Sequence, residues 1–167
     1  KELSVGITDP IKSIQEGDIN ISLFSFPGVS SQREVPDYRS RIITTIDPGE
    51  YTHVLFVDPD DIIVPEGFVS SIRKMVAECS VGILLKERML GREHTKHCCR
   101  ILLETQVAQH YAPLFMGKDG RHKGHPHSDH SYAQEVTREL RLPHGDDVAY
   151  LYRIHKEQLN DGTIPEH

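Results

Sequence analysis

The sequence is poor in cysteine, has no long apolar run and carries no surplus of positive charge, and each lack excludes a class of protein. Its three cysteines are an odd number, with Cys98 and Cys99 adjacent, which is not the spacing of a disulfide framework in a secreted chain. A reducing compartment is expected. The longest apolar stretches, residues 54–57 and 62–64, fall far short of the roughly 20 residues that span a bilayer, and no signal-peptide pattern opens the sequence. The expected setting is therefore cytoplasmic, with no transmembrane segment. A formal net charge of −6 disfavours binding that works by neutralising many phosphates of a duplex. A local basic groove around Arg88, Arg92, Lys96 and Arg100 keeps a nucleic-acid base open as a substrate.

What is present is an ordinary globular composition, 37% hydrophobic and 26% charged over 167 residues. Residues 1–167 fit a single domain, and a domain of this size buries roughly two-thirds of its unfolded surface. The eleven histidines are unusual, and many lie between His94 and His130, so the charge there rises steeply below neutral pH.

The patterning predicts an α/β protein. Residues 3–7 and 19–26 read as strands, 29–38 as a loop and 39–46 as a helix closed by Asp47-Pro48-Gly49. Residues 53–57 form a continuous apolar run of the kind that lies mid-sheet with both faces covered, stopping at Asp58-Pro59. After Pro65, the positions Phe68, Val69, Ile72, Met75 and Val76 recur at helical spacing, predicting a helix over 66–79. A strand over 81–86, a helix over 98–111, a Gly/His/Asp loop over 117–130, a helix over 131–142 and a last strand over 148–154 complete the order. Strand, helix and strand joined by short links imply a mostly parallel sheet with helices on its faces.

Chemistry concentrates at Asp58-Pro59-Asp60-Asp61. Three carboxylates within four residues at a strand's end repel one another, and something must offset that cost. A divalent cation with hard oxygen ligands, Mg²⁺ or Mn²⁺, does so and completes its shell with substrate phosphates. The carboxyl end of a strand is also where open α/β sheets bind ligands. The same residues equally fit a plain turn, with Asp61 capping the next helix.

The segment from His53 through Asp58-Pro-Asp-Asp61 to Phe68 resembles the strand, Asp-x-Asp and helix-start unit of GT-A-fold glycosyltransferases, above all the inverting family 2. Ser40-Arg41 resembles the family's small-Arg-Asn motif, with Ile42 in place of the Asn. Ser128-Asp129-His-Ser-Tyr132 resembles its Glu-Asp-x-x-aromatic segment, with Ser128 in place of the Glu, and Tyr152-Arg153-Ile154-His155 its Tyr-Arg-x-His strand. The resemblance implies a GT-A-like (Rossmann-like) three-layer α/β/α fold with a mostly parallel mixed sheet. It implies a hexosyltransferase-type enzyme that moves a sugar from a nucleoside-diphosphate sugar to an acceptor hydroxyl on a saccharide, lipid, protein or modified nucleic-acid base.

It further implies that Asp58, Asp60 and Asp61, with His155, hold Mn²⁺ or Mg²⁺, while Asp9, Arg41, Asp58 and Arg153 contact the nucleotide. Asp129 becomes the general base that takes the acceptor's proton. Each residue also has a plainer role: a helix N-cap for Asp129, a strand-end histidine for His155, surface salt bridges for Asp9 and Arg41. Two other functions use the same residues, a metal-dependent phosphohydrolase or nuclease and a non-catalytic binding module. A zinc site among His94, His97, Cys98, Cys99, His122, His125, His127 and His130 lacks the usual ligand spacing, and a solvated acceptor loop is the simpler account.

Overall fold

The computed structural model describes residues 12–17, 19–23, 35–58, 61–89, 95–116 and 128–152. A hairpin opens it, β1 (Lys12–Glu16) against β2 (Ile19–Leu23), turned at Gly17 with a positive φ of 58° that glycine adopts at no steric cost. Helix α1 (Val35–Thr45), strands β3 (His53–Val54) and β4 (Ile62–Ile63), and helix α2 (Pro65–Ala77) follow. Then come β5 (Gly82–Met89), β6 (Thr95–Glu104), α3 (Thr105–Tyr111), a 3₁₀ segment (Ala112–Met116), α4 (Ser128–Leu140) and β7 (His144–Tyr152). Five strands form one mixed sheet in the order β3-β6-β5-β7-β4.

The two faces of that sheet bury separate apolar clusters, which makes three layers. On one face Phe68 and Met75 of α2 pack over Ile83, Leu85, Leu102 and Ala149. On the other, Leu84, Ile101 and Leu103 meet Ile43 of α1, Ala108 of α3, Ala112 and Phe115 of the 3₁₀ segment, and Tyr132, Ala133 and Val136 of α4. Successive residues of a strand point to opposite faces, so 83–85 and 101–103 feed both clusters at once. Helix α2 approaches β7 so closely that a Cβ on Gly67 would lie 1.9 Å from the Val148 carbonyl oxygen.

Several expectations are corrected. The sheet is mixed, but three of its four strand pairs are antiparallel and only β5 with β7 is parallel. The reason is β6. Residues 98–104, read as the start of a helix, continue a strand, because consecutive Ile101, Leu102 and Leu103 are all buried and only an extended backbone sends them alternately to two apolar layers. With β5 and β6 adjacent in sequence and joined by a short link, antiparallel pairing is the accessible geometry. The helical pattern belongs only to α3.

The run 53–57 does supply both cores, Val54 and Phe56 on one side and Leu55 on the other. Among the described residues, however, β3 is two residues long and lies at the sheet's edge beside β6. Helix α1 starts at Val35, inside the expected loop. Helix α2 starts at Pro65, with Val64 as its uncapped N-cap residue, so Asp61 is not its cap. Val76, expected on the apolar face of α2, is exposed. The expected strand over 3–7 lies outside the described residues, as does the stretch 117–127 of the expected loop. No helix among the described residues is long and apolar enough to cross a membrane.

Candidate functional site

The backbone turns sharply where the apolar run ends. The Asp61 amide donates to the Asp58 carbonyl oxygen at 3.1 Å, the i to i+3 bond of a β-turn. The turn reading is therefore correct for the backbone, and it sets Asp58 and Asp61 side by side at the start of β4.

Their charge is offset inside the chain. Arg39 of α1 donates from Nη2 to Asp58 Oδ1 at 2.9 Å. Arg100 of β6 donates from Nη2 to Asp58 Oδ2 and lies 3.4 Å from Asp61 Oδ2. The Tyr150 hydroxyl of β7 donates to Asp61 Oδ2 at 2.5 Å and accepts from the Asp58 amide at 3.3 Å. Aromatic faces hold both guanidinium groups, Arg39 at 5.6 Å from the Phe56 ring centre and Arg100 at 5.1 Å from that of Tyr150. Burial pushes the Tyr150 hydroxyl well above its ordinary pKa and the bond to Asp61 pushes the same way, against the Arg100 charge, so Tyr150 keeps its proton to donate.

Burial divides the two carboxylates. The side chain of Asp61 is 0% exposed and that of Arg100 5%, whereas Asp58 is 33% exposed and Arg39 13%. Asp61 is thus an internal anchor that fixes Arg100 and Tyr150, and Asp58 is the carboxylate open to solvent. This bears on the expected metal. Asp58 offers hard oxygen donors on a partly exposed side, though both oxygens here accept from guanidinium groups that a cation would have to displace. Asp61 does not fit as a ligand, since it is wholly enclosed and already engaged by a hydroxyl and a guanidinium. Among the described residues no three His, Cys, Asp or Glu side chains gather as a metal site; Asp60 and His155 lie outside those residues.

The position of Arg100 depends on strand register. Between the pairs Leu84–Ile101 and Lys86–His97, β6 advances four residues while β5 advances two. On the other side of β5, between Leu84–His144 and Lys86–Val148, β7 also advances four. Bulges of this kind re-aim side chains beside functional sites, and here the two irregular strands flanking β5 are those that carry Arg100 and Tyr150.

Arg41, expected at the nucleotide, instead forms a pair with Asp37 one helical turn away at 2.8 Å, both exposed. Arg39 takes the inward place, and the signal for it was present: Arg39 lies three and four residues before the buried Ile42 and Ile43, hence on the same face of α1. Arg100, expected in an open basic groove, is buried. Asp129 lies in the first turn of α4. That helix is tied toward the site by aromatic contacts: Tyr132 stacks on Phe115 at 3.9 Å between ring centres, and Phe115 meets Phe56 edge-on at 6.0 Å. Asp9, Asp60, Arg153 and His155 lie outside the described residues.

No family model, no curated protein and no solved structure matches the chain.

Proposed function

We propose that this chain is a metal-dependent glycosyltransferase that moves a sugar from a nucleoside-diphosphate sugar to an acceptor hydroxyl, with inversion. The observation that carries the reading is the convergence of a partly exposed Asp58 with two guanidinium groups, Arg39 and Arg100, where the apolar run 53–57 ends. The order of the Asp-x-Asp, Ser-Asp and Tyr-Arg-x-His motifs along the sequence supports the same assignment.

In this reading Asp58, Asp60 and His155 would hold the cation, and Mn²⁺ or Mg²⁺ there would supply positive charge to offset that of the departing diphosphate. Asp61 takes no ligand role and instead orients Arg100 and Tyr150. Asp9 and Arg153 keep their places as proposed nucleotide contacts, while Arg41, exposed and paired with Asp37, gives its place to Arg39. Asp129 takes the proton from the acceptor hydroxyl as that oxygen bonds to the anomeric carbon and the bond to the diphosphate oxygen breaks. The Phe56–Phe115–Tyr132 ring contacts join α4, whose first turn holds Asp129, to the segment that ends at Asp58.

Calorimetric titration of nucleotide-sugars with and without Mn²⁺, on wild type and Asp60→Ala, tests it. The expected result is binding by wild type with Mn²⁺ and loss of at least about tenfold in each of the other three cases. Indistinguishable heats in all four sink the reading.

A further inference from the structure

We draw no further inference here: the strongest candidate, the half-buried His53 paired with Glu104 where the edge strand β3 meets β6, rests on the lowered pKa of the histidine alone, which by itself points to no ligand, partner or movement.

Discussion

Strand β7 carries two pairs of aspartate, cation and hydroxyl contacts built from the same ingredients in opposite settings. At its far end Tyr150 joins Asp61, Asp58 and Arg100, nearly all enclosed. At its near end Lys74 of α2 lies 2.9 Å from Asp146, Ser70 donates to Asp147 at 2.7 Å, and Lys86 donates to the Asp146 carbonyl oxygen at 2.6 Å, with the Asp146 side chain 75% exposed. Coulomb attraction is of the same sign in both. The difference lies in solvent: water screens the outer pair and stands ready to replace either partner, while the inner charges were stripped of water on folding and depend on each other.

The largest expected effect removes one inner partner. Arg100→Ala removes a buried guanidinium from Asp61 and Asp58 and should cost about 3–5 kcal/mol in urea unfolding; a loss below about 1 kcal/mol would mean that water reaches the cluster. Gly67→Ala should come next. Its new methyl group would collide with the Val148 carbonyl, which lies on β7 between the two clusters, so overpacking of about 1–3 kcal/mol is expected. A spectrum unaltered at both ends of β7 would show that α2 can slide without disturbing either. Tyr150→Phe deletes the hydroxyl that satisfies Asp61 and the Asp58 amide and should cost about 1–2 kcal/mol.

A pH experiment separates the settings further. His53 on β3 is half-buried, and burial lowers its pKa from the ordinary 6.5 against an opposing pull from Glu104. The unfolded chain takes up this proton near the ordinary value and the folded chain only at lower pH. The associated stability is complete above about pH 6.5 and is lost as the pH falls toward the lowered folded value. His53→Gln should flatten that part of the stability profile between about pH 7.5 and 5.5; an unchanged slope would exonerate His53. The smallest effect belongs to the outer pair. Its hydrogen bond with Asp146 raises the Lys74 pKa, yet Lys74→Ala should leave the melting temperature unmoved within error, and a clear drop would place that pair among the inner ones.

Much of this organisation was legible along the chain. The i, i+4 pattern of Tyr132 and Val136 announced α4, Pro65 announced the start of α2, and the abrupt end of the 53–57 run announced a charged turn. The misreadings share one cause. Consecutive apolar residues such as Ile101 to Leu103 suit a helix side or a strand covered on both faces, and only a neighbouring strand decides between them. Arg39 was overlooked because its counterpart Arg41 better matched a linear motif, although helical periodicity already assigned the inward face to Arg39.

Local chemistry in the chain was enough to set the clustered acids, the turn that closes from Asp58 to Asp61, the faces of α2 and α4 and the α/β class, since each depends on neighbours within a few positions. It could not bring Arg100 to the acids or tell the anchoring Asp61 from the more exposed Asp58. Those outcomes rest on contacts between residues 39 to 92 positions apart, which strand register decides, and register is set by the packing of both sheet faces at once.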